Sequence, residues 1–157
     1  MRILVLSDSH STNIKIDFSS FDYVFHCGDR GFSKLSDDVI YVKGNCDFTG
    51  DNEKLIEING KKIFITHGNI YNVKYNYMNL YYKALELKAD IVLFGHTHKQ
   101  IVFSENNILF LNPGAYENGC YAIINDTNIE LYEKNMIKEI IDFRWWKNDF
   151  TRNFTAW

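Results

Sequence analysis

The residues able to do chemistry in this 157-residue chain stand in five short polar blocks: Ser7-Asp8-Ser9-His10, Gly28-Asp29, Gly44-Asn45-Cys46-Asp47, Thr66-His67-Gly68 and Gly95-His96-Thr97-His98. Together they use four of the five histidines. Asp8, His10, Asp29, Asn45, His67, His96 and His98 offer imidazole nitrogens with carboxylate and amide oxygens. That donor mixture suits first-row divalent ions such as Mn²⁺, Fe²⁺ or Zn²⁺, and no Cys-rich set of the structural zinc kind accompanies it. In an extended segment, residues two apart point the same way, so Asp8 with His10, and His96 with His98, are each expected to chelate one ion. Singly, each block is an ordinary polar turn cap. Five of them in order, each behind an apolar run, point to one shared site.

The elements that must position these blocks are short β-rich runs at 2–6, 23–27, 39–42, 62–65 and 91–94. Ligands of open α/β sheets bind just beyond the carboxyl ends of strands, where all five blocks lie. One helix is predicted over 75–88, with Met78, Tyr81, Tyr82, Leu85 and Ala89 on its buried face. The stretch between His10 and Tyr23 has room for only a turn or two of helix. Past His98, runs at 100–104, 108–111, 121–124 and 129–132 read as an antiparallel meander, with Asn106-Asn107 and Asn125-Asp126 as turns. Residues 137–143 fit a last strand or helix. The polar-aromatic tail 144–157 is expected to pack on its own domain or on a subunit partner, since exposed aromatics are costly.

The length fits a single domain spanning 1–157. With 46% apolar and 24% charged residues the composition is that of a globular chain, which argues against disorder. The first apolar run stops at Ser7, short of a signal-peptide core, and no later run approaches a membrane span; a cytoplasmic protein without a membrane partner is expected. Cys27, Cys46 and Cys120 lack a disulfide-framework spacing and read as free thiols of a reducing compartment, Cys27 and Cys120 as buried apolar residues. A formal net charge of −3 disfavours nucleic acid as a bulk partner and leaves a small phosphorylated substrate open.

In their order, the blocks SDSH at 7–10, HCGD at 26–29, GNCD at 44–47, THG at 66–68, GHTH at 95–98 and NPGA at 112–115 resemble the calcineurin-like metallophosphoesterase superfamily, and within it the small phosphodiesterase branch of bacteria and archaea. The resemblance implies an α/β fold, a two-sheet β-sandwich flanked by helices in four layers, with a dinuclear centre at the strand ends. It places Asp8, His10 and His98 on a first metal and Asn45, His67 and His96 on a second, with Asp29 bridging. Mn²⁺ is the expected ion, with Ni²⁺, Zn²⁺ or Fe²⁺ as alternatives. The implied reaction is hydrolysis of a phosphodiester by a metal-bridging hydroxide, with no protein nucleophile. Asn45, Cys46 and Asp47 form the candidate catalytic segment, and the neutral Asn45 amide keeps the centre positive towards phosphate.

Three positions depart from the family pattern, and the short stretch after His10 leaves no room for the family's first helix. Cys46 stands where many members have a histidine thought to assist the leaving group, Asn69 follows THG where relatives often carry a second histidine, and Gly28 to Phe32 reads Gly-Asp-Arg-Gly-Phe instead of Gly-Asp-x-x-Asp. Two alternatives follow from the same resemblance: a non-catalytic, metal-binding protein-interaction scaffold of the same fold, like the related retromer subunit, and a phosphomonoesterase. Scaffolds often lose ligands, whereas every expected ligand is present here. His26 reads as a core histidine with a satisfied hydrogen bond. Arg30 is equally suited to a substrate phosphate and to solvent.

Overall fold

The RILVL run of β1 (Arg2–Leu6) shows why the chain makes a layered sheet. Ile3 and Val5 turn to one side, Leu4 and Leu6 to the other, and all four are buried. A strand covered on both faces reads as a continuous apolar run. In the computed structural model of the protein, residues 1–145 are described. They contain β2 (Tyr23–His26), β3 (Val39–Tyr41), β4 (Glu53–Ile58), β5 (Lys61–Thr66) and, after helix α1 (Met78–Leu87), β6 (Ile91–Leu93). Then follow β7 (Gln100–Glu105), β8 (Ile108–Pro113), β9 (Cys120–Asn125), β10 (Asn128–Glu133) and β11 (Met136–Asp142).

Two mixed sheets result, one in the order β11-β10-β9-β1-β2-β3 and the other β4-β5-β6-β8-β7. Ile3, Val5 and Phe25 from the first pack against Ile63, Ile65 and Leu93 from the second, forming the central core. The second sheet's outer face, with Phe64, Val92 and Phe110, is covered by Leu80 and Ala84 of α1. The first sheet's outer face is covered differently. Ile14, Ile16, Phe18 and Phe21 lie over Leu4, Leu6 and Val24, and the only helical turn among these covering residues is a 3-10 turn at Phe18–Ser20. The expected sandwich is therefore present, with one flanking α-helix among the described residues and, as the short stretch after His10 implied, a loop in place of a second helix layer. Asp17, Ser19 and Ser20 explain the loop: Asp17 accepts hydrogen bonds from the Ser19 N–H and hydroxyl, competing with helix formation.

Two expectations need correction. The meander after His98 is split, because β7 and β8 join the second sheet while β9, β10 and β11 join the first. Period-two alternation identifies strands but not their partners. The stripe expected on α1 is also out of phase. Of the expected stripe, Ala89 is buried and Tyr81 packs beside it; Leu80 and Ala84 are buried too, with Tyr77 and Leu87 packed against them, while Met78, Tyr82 and Leu85 are 50%, 59% and 41% exposed. The segment is apolar almost all round, so spacing alone does not select the face. Asn76 accepts the Met78 N–H at 3.0 Å at the start, and left-handed Lys88 ends the helix.

No helix among the described residues is long and apolar enough to cross a membrane. At the start of the tail, Trp145 is buried against Phe143, and its backbone N–H donates to the Asp126 carbonyl at 3.1 Å. The expectation for the remainder, 146–157, lies outside the described residues.

Candidate metal centre

Parallel pairing of β1 with β2 and β2 with β3, and of β5 with β6 and β6 with β8, brings their carboxyl ends to one edge of the sandwich. The polar blocks are stitched together there. Asp8 N–H donates to the Gly28 carbonyl at 2.9 Å and Gly95 N–H to the His67 carbonyl at 3.0 Å. Across the sheets, His67 Nδ1 lies 2.7 Å from the Cys27 carbonyl. A carbonyl only accepts, so Nδ1 carries the proton and Nε2 presents its lone pair inward.

Five candidate ligands, Asp8, His10, Asp29, His96 and His98, have positive φ, from 42° to 70°. Non-glycine residues in this region carry strain that surrounding structure must hold, and such residues concentrate at functional sites. This geometry also corrects the extended-chelate expectation. Asp8 and His10 do converge with each other and with His98, but His96 turns instead to Asp29 and His67. Left-handed backbone, not β alternation, sets these directions.

Both carboxylates are held in the same manner. Asp8 Oδ2 accepts from the Ser7 hydroxyl at 2.6 Å and the His96 N–H at 3.1 Å, leaving buried Oδ1 without a hydrogen bond. Around Oδ1 lie His98 Nε2 at 3.1 Å, His10 Nε2 at 3.6 Å and His67 Nε2 at 3.9 Å. Asp29 Oδ1 accepts the Cys46 N–H at 2.8 Å, while Oδ2 stands 3.2 Å from His67 Nε2 and 3.9 Å from His10 Nε2. Ring nitrogens also face one another, His10 and His98 at 3.3 Å, His67 and His96 at 3.2 Å. Ligands about 2.1 Å from one tetrahedral ion sit roughly 3.4 Å apart, so these spacings fit a cation between the donors. Burial opposes charge on His67, yet Asp29 and Asp8 outweigh it and raise its pKa. Burial pushes Asp29 up, but hydrogen bonds and charge from His67 and the Cys46 N–H hold it well below the usual carboxylate range. The cluster thus favours positive charge at its centre, and the donor set fits divalent metal.

Space is reserved for these carboxylates by glycines: a Cβ at Gly95 would stand 1.9 Å from Ser7 Oγ, and one at Gly44 2.0 Å from Asp29 Oδ1. Of the candidate catalytic segment, Asp47 points at backbone, accepting N–H groups from Asp29, Gly31 and Gly44 at 2.8 to 2.9 Å and from Arg30 at 3.4 Å. Exposed Asn45 donates its amide N–H to Cys46 Sγ at 3.4 Å; Oδ1 is the atom a metal role needs. Cys46 lies with His10 and Asp29 in a third close set of donors. Burial and the Asp29 carboxylate push its thiol pKa up.

His26 is the hydrogen-bonded core histidine expected. Its Nδ1 accepts the Gly28 N–H at 3.2 Å, its Nε2 meets Ser9 Oγ at 2.9 Å, and burial lowers its pKa to about 3. Sequence reasoning missed Glu117, whose Oε1 lies 3.6 Å from His98 Nδ1 and 3.7 Å from His10 Nε2. A carboxylate behind a ligating imidazole orients the ring and raises its basicity. Its position just after NPGA was the available signal. Asn112 of that block ties the GHTH loop down, donating to the Gly95 carbonyl at 2.9 Å. Beside the cluster runs a groove of about 740 Å³, with His10 and Cys46 among the residues lining it.

Comparison with known proteins bears on this centre. A probable metallophosphoesterase of Bacillus subtilis, YsnB, is 38% identical over 128 residues, covering 73% of this chain and 75% of that one. The Methanocaldococcus jannaschii phosphodiesterase MJ0936 is 30% identical, covering 90% and 99%. A solved structure from Streptococcus pneumoniae, described as a predicted phosphoesterase, superposes with TM-score 0.74 at 30% identity, covering 90% and 88%. Vps29 from Entamoeba histolytica, at TM-score 0.70 and 23% identity over 92% and 100%, shares the fold. The sequence pattern of the calcineurin-like phosphoesterase superfamily domain matches residues 1–124, and the chain belongs to that superfamily.

Proposed function

We propose that the protein is a cytoplasmic phosphodiesterase working with two divalent ions, Mn²⁺ being the ion expected. Asp8, His10 and His98 would hold one ion, Asn45, His67 and His96 the other, with Asp29 shared. The observation that carries this reading is the presence of two inward carboxylate oxygens, Asp8 Oδ1 and Asp29 Oδ2, each 3.1 or 3.2 Å from its nearest ring nitrogen and each also facing a histidine of the other set. Bound there, two ions would neutralise phosphoryl charge and acidify the attacking water. The protein's part is to aim the donors: the Cys27 carbonyl fixes the His67 tautomer, and Glu117 backs His98. The groove beside the cluster offers room for a second ester substituent, which favours a diester over a monoester, and the name of the archaeal relative agrees. Free thiols at Cys27, Cys46 and Cys120 suit a reducing compartment.

The test is elemental analysis of Mn²⁺-reconstituted protein together with hydrolysis of bis(p-nitrophenyl) phosphate and p-nitrophenyl phosphate. Two ions per chain and faster hydrolysis of the diester are expected. One ion, or a preference for the monoester, would sink the proposal.

Cys46 gives a second expected result. If Cys46 approaches the leaving-group oxygen, a neutral thiol there donates a proton less well than an imidazolium. Aryl diesters should therefore turn over faster than alkyl ones. Cys46→His should narrow that gap, by up to about a hundredfold for the poorest leaving groups, the lower range of general acid catalysis. Rates for diesters of graded leaving-group pKa decide it, since parallel lines for the two proteins would make Cys46 a packing residue only.

A further inference from the structure

We infer that the groove beside the metal centre is a nucleotide subsite, in which a nucleobase stacks on Phe32 and Phe48 while Arg30 and Lys34 take a neighbouring anionic group. This rests on the phosphodiesterase reading and names its substrate class. The two rings line the same groove and are 87% and 92% exposed. Phe32 is not needed to anchor its loop, because Leu35 packs against the core beneath, and the Ser33 hydroxyl donates to the Thr12 carbonyl at 2.8 Å. Large apolar side chains left in water around a cleft mark a binding surface.

Their positions are fixed relative to the metal centre. Phe32 N–H donates to Ser11 Oγ at 2.8 Å, and Gly31 N–H to Asp47 Oδ1 at 2.9 Å. Asp47 precedes Phe48 and also holds the Asp29 N–H at 2.8 Å, so one carboxylate ties both rings' backbones to the residue between the two donor sets. His10 and Cys46 belong to the donor cluster and also line the groove. One substituent of a diester held at the centre would leave along it.

The ligand chemistry follows from the lining. A phenyl face offers no hydrogen-bonding selectivity but attracts any flat π-system, and base stacking of this kind tolerates sequence. The Arg30 guanidinium lies over the Tyr41 ring at 4.5 Å, which holds its plane and leaves its N–H edges for an anion. Among the described residues, neither Arg30 nor Lys34 is within ion-pair distance of a carboxylate. Two cations outside any ion pair in a chain of net charge −3 point to a second anionic group, as a nucleoside diphosphate carries. The groove volume of about 740 Å³ exceeds what a bare phosphate needs and lies in the ordinary range for ligand sites.

The test compares three esters with one leaving group: thymidine 5′-(p-nitrophenyl phosphate), methyl p-nitrophenyl phosphate and n-octyl p-nitrophenyl phosphate, hydrolysed by Mn²⁺-loaded protein. The nucleoside ester should exceed the methyl ester in kcat/KM by about tenfold or more, the scale of stacking one base. Phe32→Ala and Phe48→Ala should each lower that ratio several-fold, and the double variant should bring it near one. Both side chains are exposed, so folding should not confound the result. A ratio unmoved by the substitutions overturns the inference, and an n-octyl ester favoured as strongly as the nucleoside ester shows a merely apolar groove. Calorimetry on chelator-treated protein supplies an arm independent of turnover. Adenosine 5′-monophosphate should bind at least about fivefold tighter than ribose 5-phosphate, and the double variant should lose the difference. If no diester is hydrolysed while this difference stands, the phosphodiesterase reading fails and the nucleotide subsite survives; equal binding overturns the subsite.

Discussion

Asp29→Asn should abolish hydrolysis and reduce bound Mn²⁺ from two ions per chain to at most one. The reason lies in how the carboxylate is held. Oδ1 is committed to the Cys46 N–H at 2.8 Å, and only Oδ2 faces the ring nitrogens of His67 and His10. An asparagine must keep its oxygen towards the Cys46 N–H, because two donors cannot face each other. Its NH₂ group would then point into the donor cluster, where it cannot ligate a cation. The change thus places a donor where the centre requires an acceptor, besides removing a charge. Residues that only orient a ligand cost about 10- to 100-fold when mutated. Loss of a direct, shared donor should exceed that, and a thousandfold fall in kcat/KM is the order of magnitude expected. Melting in the presence of chelator separates this from unfolding. The substituted protein should still melt cooperatively, and activity within tenfold of the parent would show that Asp29 is not shared between two ions.

The parts of this centre legible in sequence are those that depend on residue type. His and Asp at the ends of doubly buried strands stand out, since runs such as RILVL have few other uses and their polar stops fall at one edge of a sheet. Directions are less legible. Asp47 has the composition of a catalytic acid, yet its carboxylate turns to backbone amides. His96 and His98 are two apart but serve different donor sets, because both have positive φ and the extended-chain rule does not apply. Glu117 reaches the histidines through a tertiary bond, its N–H donating to the Asp8 carbonyl at 3.2 Å, which no local pattern announces. In the fold, β4 escaped notice because Glu53, Lys54 and Glu57 give it a charged sequence. Charge on an edge strand discourages pairing with other chains, and β4 is an edge of its sheet.

Asp47→Ala should be the most destabilising single change near the centre, and it should also weaken metal binding although Asp47 is not a proposed ligand. Four N–H groups, from Asp29, Arg30, Gly31 and Gly44, lose their acceptor at once. Hydrogen bonds to a charged group contribute about 1.5–3 kcal/mol each, but the side chain is only part-buried and water will replace some of them, so a loss of about 3 kcal/mol is expected in place of the full sum. For a chain of this size that is a fall of roughly 10 °C in Tm. Asp47→Asn separates acceptor loss from charge loss: its single oxygen can keep the Asp29 and Gly44 donors, while its NH₂ confronts the Gly31 N–H, so an intermediate Tm is expected. The effect on metal follows from the Asp29 N–H, which is one of the four. Without Asp47, the left-handed Asp29 backbone at φ 55° loses the contact that holds it, and Oδ2 is no longer fixed opposite His67. Dialysis against graded chelator at a temperature well below both Tm values should strip Mn²⁺ from Asp47→Ala at lower chelator than from the parent. A variant that melts early but retains metal like the parent would confine Asp47 to loop stability and leave the aim of Asp29 to the Cys46 N–H alone.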